Sequence, residues 1–250
     1  MLSIFTVVDA IYDSNPGDLI VIDEPELSLH PSLQRKLAQV LLDFSADRQI
    51  IIATHSPFFI SWESLRNGGS IARVVKENAR SVIYQMPVSM RDVINGLISN
   101  LNNPHVLGLD AKEMFFLEEN INIVEGQEDV VFLKRALLLL GIDLKGSFFG
   151  WGIGGATNLP NILLLLTHLG FTKVACLLDN NMRELAERMA KLYPNYSFFI
   201  FPTDDIRDKK PVKARDQIEG LMDSSGENVK EHYREEVAQT ISQINDYHSN

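Results

Sequence analysis

Apolar and polar positions alternate along this chain in two rhythms, one of short β-branched runs and one of helical stripes. The first clear run is Leu19–Ile22, within the string DLIVIDEPE at Asp18–Glu26. A run this short, rich in branched residues and ending in acids, predicts a strand buried on both faces, as in a parallel sheet. Leu33, Leu37, Val40, Leu41 and Phe44 then fall on one helical face. A second strand follows at Gln49–Ala53, ending in Thr54-His55-Ser56-Pro57. Pro57 keeps Ser56 out of the helical region, so the chain is expected to leave the sheet there. Ser3–Tyr12 reads as a helix. Ser70–Lys76 and Arg80–Met86 read as a hairpin turning at Glu77-Asn78-Ala79, and residues 89–117 as mostly helical with a break near Asn102-Asn103-Pro104.

Beyond residue 118 the pattern repeats strand then helix. Strands are expected at Asn122–Val124, Ser147–Phe149, Lys173–Leu178 and Tyr196–Phe201. Helices are expected at Asp129–Leu140, Asn158–Leu169 and Arg183–Leu192. Alternation of this kind implies a parallel sheet with right-handed crossovers, hence an α/β fold. The pattern divides the chain into 1–117, 118–225 and a polar, helical tail at 226–250. The length, 250 residues, allows one large domain or two small ones.

Composition narrows the classes without choosing among them. Hydrophobic residues at 45% and charged residues at 22% describe a folded globular chain. The longest apolar run, Ile162–Leu166, is far short of a membrane span, and no basic leader precedes it, so a cytoplasmic protein without membrane attachment is expected. A single cysteine, Cys176, excludes an intrachain disulfide and a cysteine-cluster metal site. The net charge of −10 disfavours a broad nucleic-acid surface. The local exception is Arg207–Arg215, where Arg207, Lys209, Lys210, Lys213 and Arg215 stand against the single acid Asp208. Beside a metal site these could hold DNA phosphates, and on their own they could be a solvated loop.

Candidate chemistry sits at strand ends. Asp23 and Glu24 close the first strand, where α/β proteins bind ligands. One carboxylate there can hold magnesium through its waters, and the next can take a proton from an attacking water. His55 closes the neighbouring strand and could reach a γ-phosphate. In the second half a strand delivers Glu125, Gly126 turns the chain, and Asp129 sits in the first helical turn. Asp179 ends a later strand at the same sheet edge. Such oxygen donors suit Mg²⁺ or Mn²⁺, and two such ions could promote phosphodiester cleavage. Asp204, Asp205 and Glu219 are further acids, each read as solvated surface.

The string LIVIDEPELSLHPSLQRKL followed by IIIATHSP resembles the ABC-type ATPase heads of SMC-like and OLD-family (overcoming lysogenisation defect) proteins. The resemblance implies Asp23 as the Walker B aspartate, Glu24 as the catalytic glutamate, Leu27–Pro31 as the D-loop and His55 as the switch histidine. No G-x-x-x-x-G-K-[ST] occurs anywhere in the 250 residues. The family places that loop and its signature before Walker B, and 22 residues precede Asp23 here. The chain is therefore expected to hold the C-terminal half of a head, whether as a fragment, a split gene or a lost ATPase. It would bind ATP only when completed by the missing half. FFLEENINIVEGQED at Phe115–Asp129 resembles the Toprim domain of OLD nucleases, a Rossmann-like parallel sheet, over residues 115–222. This implies Glu125 as metal ligand and general acid/base, and Asp129 and Asp179 as metal ligands. Toprim proteins usually carry D-x-D at the third strand; here the pair is Asp179 and Asn181, and Asn181 offers a neutral oxygen. Glu219 stands where OLD proteins often carry a further acid, and the resemblance thereby adds Asn181 and Glu219 to the expected metal ligands.

The resulting expectation is a metal-dependent DNA endonuclease of the OLD type, using two ions and acting in phage defence. It would be homo-oligomeric or paired with a partner supplying the absent half-head. Two other classes compete. A regulatory remnant would explain the absent phosphate loop and Asn181. A dinucleotide-binding oxidoreductase would explain GWGIGG at Gly150–Gly155, which fits G-x-G-x-x-G between strand and helix.

Overall fold

A computed structural model describes residues 4–99, 112, 116, 120–210 and 218–250. The expected break at Asn102-Asn103-Pro104, and the basic residues Lys213 and Arg215, lie outside the described residues. The protein is mixed α/β with parallel sheets. It divides into two compact units, residues 1–69 and 70–250. Compactness thus groups the hairpin with the second half, whereas the sequence pattern had grouped it with the first.

In the first unit, α1 (Ile4–Tyr12) precedes β1 (Leu19–Asp23), α2 (Pro31–Phe44), β2 (Gln49–Ala53) and the short α3 (Trp62–Arg66). β1 and β2 pair in parallel from Leu19↔Gln49 to Asp23↔Ala53. Val7, Ile11, Ile22, Leu37 and Leu41 form the core, so α1 and α2 cover one face of the ribbon. The expectation of a strand buried on both faces is corrected here. Leu19, Val21 and Ile51 point away from that core and are exposed, because strand side chains alternate and both helices serve the same face. Ser56 is extended and accepts from Phe58 N–H, so Pro57 starts a 3₁₀ turn out of the sheet as expected.

The second unit opens with the hairpin β3 (Ala72–Glu77) and β4 (Arg80–Gln85). Asn78 and Ala79 both have positive φ, 47° and 64°, the two-residue turn whose twist matches a hairpin. Next come α4 (Met90–Ser99), β5 (Ile121–Ile123), α5 (Gln127–Leu140), β6 (Ser147–Phe148) and α6 (Leu159–His168). β7 (Val174–Leu178), α7 (Arg183–Leu192), β8 (Ser197–Ile200) and α8 (Arg234–Ser249) complete it. The last four strands form one parallel sheet in the order β6-β5-β7-β8. β7 is buried at every position, as its unbroken VACLL run predicts. Ala175 and Leu177 join a core with α5 and α8. Val174, Cys176 and Leu178 are buried on the opposite face.

The C-terminal segment is not a solvated tail. Val237, Ile241 and Ile244 of α8 are fully buried in that core. His248 is buried too, and its ring meets Asn122, a fully buried amide on the central strand. Asn122 Nδ2 donates to Lys145 O at 2.8 Å, so its Oδ1 accepts from His248 Nε2 at 2.9 Å. The ring is then neutral, with Nδ1 unpartnered among the described residues. Burial, reinforced by the charges of Lys173 and Lys145, lowers its pKa to about 4.

A neutral histidine of this kind binds fewer protons than the unfolded chain between about pH 4 and 6.5, so it contributes stability that is lost as pH falls through that window. Thermal melts of wild type should show a loss of about 2–3 kcal/mol attributable to this group between pH 6.5 and 4. In His248→Gln that part of the slope should vanish, and an unchanged slope would refute the assignment.

Candidate active site

The sheet order decides where a ligand can sit in the second unit. From β5 the chain crosses to β6 on one side; from β7 it proceeds to β8 on the other. β5 and β7 are neighbours, paired through Ile123↔Cys176. The connections leaving their carboxyl ends diverge, which opens a crevice at that switch point. Continuing the register sets Glu125 opposite Leu178, one residue before Asp179. Both sequence-predicted acids therefore rise from the same edge at the crevice.

The turn that carries Glu125 is held by backbone. Gly126 N–H donates to Asp129 Oδ2 at 2.8 Å, so Asp129 caps the start of α5 with one oxygen. From the other side Ile153 N–H donates to Val124 O at 3.1 Å, and Gly155 N–H to Glu125 O at 3.0 Å. Gly152 lies flat on Gly126: a Cβ there would come within 2.7 Å of Gly126 backbone atoms, and its φ is +85°. GWGIGG is thus a brace for the Glu125 turn. Amides that a dinucleotide pyrophosphate would need are spent on protein carbonyls, and the nicotinamide reading goes no further.

Four carboxylates stand at this edge, and two of them are shifted. Asp179 is raised to about 8, first by burial and then by the charges of Asp129, Asp205 and Glu125. Asp129 is raised to about 6, chiefly by burial, with Glu125 and Asp205 adding to it and the Gly126 amide opposing. Asp205 corrects the sequence expectation of a solvated acid. It is 9% exposed, and Lys209 Nζ approaches its Oδ2 at 2.6 Å. It follows β8, the strand beside β7, and Asn180 N–H donates to Thr203 O, which draws the two strand ends together. Asp204 is exposed, as expected. Asn181 is exposed, and its Nδ2 donates to Asp204 O at 3.4 Å, leaving Oδ1 free to face outward.

Three sequence-predicted residues lie elsewhere or behave differently. Glu219 is exposed and pairs with Lys230 at 3.3 Å and His232 at 3.6 Å. Its charge is not among those that raise Asp129 or Asp179. Arg207 and Lys209 are not free for phosphate. Arg207 forms a forked contact with Glu128, at 2.9 and 3.3 Å, and Lys209 reaches Glu128 at 3.5 Å as well as Asp205. Glu128 is the residue sequence reasoning missed; its only signal was an acid in the first turn of α5, where helix N-termini favour negative charge. Lys210 is exposed. Gly220 permits the 218–222 segment to cross Arg207, whose backbone a Cβ would meet at 2.0 Å.

Among the described residues no group of three or more acid, histidine or cysteine side chains is positioned to hold a metal ion as it stands. The donor chemistry still fits a hard divalent cation. Magnesium usually takes one or two carboxylates and keeps several waters. Asp129 and Asp179, raised first by burial and then by their neighbours' charge, are groups that such a cation would relieve.

The first unit carries its own constellation. Glu24 Oε1 lies 3.7 Å from His55 Nε2 across the paired strand ends, and both side chains are substantially open to solvent. Glu24 adopts φ +48°, uncommon for a residue with a side chain and characteristic of functional turns. Asp23 is exposed beside it. Glu26, not singled out in the sequence, is the latch: its carboxylate accepts from Thr54 Oγ1 at 2.7 Å and His55 N–H at 2.6 Å. That bond sets the backbone of His55 against the β1 turn.

A family model described as "AAA domain, putative AbiEii toxin, Type IV TA system" matches residues 1–61, close to the limits of the first unit. The OLD nuclease of Thermus scotoductus is 32% identical over 128 residues, 49% of this chain and 20% of that protein. A "Glutamine--fructose-6-phosphate aminotransferase [isomerizing]" of Wigglesworthia glossinidia brevipalpis is 27% identical over 122 residues, 48% of this chain and 19% of that protein. The chain spans about a fifth of the length of these curated relatives. Its first unit is similar to an AAA-type ATPase domain, and about half of the chain is similar to a nuclease. Among the described residues no helix is long and apolar enough to cross a membrane.

The raised carboxyls give a direct test of the cluster. A group whose folded pKa lies above its unfolded value destabilises the fold progressively as pH rises through the interval. In metal-free protein, Asp179→Asn should match wild type near pH 4 and melt higher at pH 8.5, by roughly 5 °C. Equal melting temperatures at both pH values would mean that Asp179 carries no strain.

Proposed function

We propose that this protein is a metal-dependent DNA endonuclease of the OLD type, its second unit a Toprim-like nuclease domain and its first part of an ABC-type ATPase head. The observation that supports this reading is the position of Glu125, Asp129 and Asp179 at or just beyond the carboxyl ends of two neighbouring parallel strands, at the switch point of the sheet. The similarity to a protein named as a nuclease supports it, as does the AAA-type match over the Glu24–His55 pair.

Glu125, Asp129 and Asp179 would hold the metal, with Asn181 Oδ1 as a neutral donor. A divalent ion bound there supplies the charge that makes water nucleophilic and stabilises the departing oxygen of a phosphodiester. Glu125, half-buried on a turn braced from both sides, takes the proton of the attacking water and returns one to the leaving oxygen. The brace matters because proton transfer needs heavy-atom distances held near 3 Å. Asp129 is oriented by the Gly126 amide, which fixes one oxygen and leaves the other to the crevice. In the first unit Asp23 would bind magnesium, Glu24 would polarise water and His55 would sense the γ-phosphate. Turnover there needs a phosphate-cradling loop, and the 250-residue sequence contains none. DNA, a second copy or an ATPase partner, and a role in phage defence belong to the same reading. Lys210, Lys213 and Arg215 remain the basic residues proposed for the DNA backbone.

Plasmid DNA with Mg²⁺ or Mn²⁺ should be nicked or linearised by wild type, and Glu125→Ala should lose at least about a hundredfold in rate, within the range general acid–base groups supply. Cleavage unaffected by that substitution would remove the site from consideration. No cleavage by either protein would favour the second reading, a regulatory remnant, for which Asn181 in place of an acid is the specific observation. ATP hydrolysis by this chain alone should be at background; magnesium-dependent turnover that disappears in Glu24→Gln would show that the first unit is a working ATPase.

A further inference from the structure

The charges at the crevice do not match a two-ion site. Among the described residues, Glu125, Asp129, Asp179 and Asp205 stand at this sheet edge, and the ammonium of Lys209 pairs with Asp205 there. Lys209 Nζ is 2.6 Å from Asp205 Oδ2 and 3.5 Å from Glu128 Oε2. Asp205 is nine-tenths buried, so its partner is not a casual surface contact. Glu128 precedes Asp129 in the first turn of α5, so the Lys209 bridge spans the start of that helix and the end of β8. Arg207 forks onto Glu128 and holds that carboxylate in place beneath the ammonium. On the adjoining strand end, the position that could have offered another anionic ligand is Asn181. Anionic donors are thus reduced at one position, and a fixed cation occupies another.

We propose that Lys209 takes the place of a second metal ion: the crevice binds one divalent cation, on the Glu125–Asp129–Asp179 side, and Lys209 neutralises the Asp205–Glu128 side permanently. The inference rests on the nuclease reading and specifies the metal content of that same site. Lys209 is a positioning residue in this account. An ammonium is a compact point charge with three donors and can satisfy two carboxylates at once. It cannot polarise water as a divalent ion does, so one side of the site is set for orientation and charge balance.

The test counts ions. Mn²⁺ titrated into the intact 250-residue protein, with free ion followed by electron paramagnetic resonance, should show one site per chain, lost in Asp179→Asn. Lys209→Met leaves Asp205 and Glu128 without their ammonium and should take up a second Mn²⁺. Lys209→Arg keeps the charge and should bind one. The double variant Asp205→Asn/Lys209→Met removes both partners of the buried pair, which protects the fold, and should also bind one. Two ions on wild type, or one on Lys209→Met, would overturn the inference while leaving the nuclease reading in place. No Mn²⁺ on wild type would overturn both.

Discussion

Burial of carboxyls beside one another is the constraint on which the sheet edge of the second unit depends. Desolvation first, and then the charge of neighbouring acids, raises Asp129 and Asp179 above the usual carboxylate range. The chain tolerates it by spending neighbouring groups on the same problem. The Gly126 amide faces Asp129, Lys209 faces Asp205, and Glu128 with Arg207 completes an ion-pair lattice on the flank. The arrangement persists because the surrounding backbone leaves it no alternative. Gly152 is pressed against Gly126, and β5 is pinned between β6 and β7 with every residue buried. Rigid elements hold like charges closer than solvent-exposed side chains would choose to be.

Much of this was legible in the sequence, for definite reasons. β2 was read at Gln49–Ala53 and α7 at Arg183–Leu192, and both stand at those limits. Those elements are bounded by strong punctuation and have one period each. The strand-end positions of Glu125 and Asp179 followed from the same logic, since an apolar run that ends in an acid at a sheet edge has few other places to go. Burial of β1 was misread because a run such as LIVI is identical whether one face or two are covered; what covers it is a tertiary fact. Asp205 was misread for the same reason. Its burial is created by the crossing of the 218–222 segment over 205–208, a contact between residues with no shared period. The basic stretch was read by its sign, whereas the partner Arg207 and Lys209 share, Glu128, lies about eighty residues away on α5.

The first unit shows how much one unremarked acid can do. Asp23 and Glu24 attract notice because they end a strand, yet Glu26 does the joining. Its two oxygens hold Thr54 and His55, and Ser56 Oγ in turn donates to Gln34, whose amide donates to Leu29 O. The turn after β1, the start of α2 and the end of β2 are thereby tied into one hydrogen-bonded chain. Such chains fix geometry better than any one bond within them. His55 stays exposed at its ring while its backbone is fixed, which suits a residue that must meet something from solvent.

The glycine-rich turn carries a wider point about motifs. GWGIGG satisfies the dinucleotide spacing, follows a strand and precedes a helix, and an acid ends the next strand. Each of those features has a physical cause that does not involve a nucleotide. Gly152 is there because Gly126 occupies the space of its side chain, and Gly154 and Gly155 are there because their φ values, 68° and 112°, are costly for other residues. Asp179 ends β7 as one of the converging carboxylates. A phosphate needs several amides aimed outward, and here Ile153 and Gly155 aim theirs at Val124 and Glu125. The direction of the N–H groups separates a ligand loop from a brace, and spacing alone does not carry that information. In this protein the glycines serve Glu125, and their requirement for close approach is as strict as a cofactor's would be.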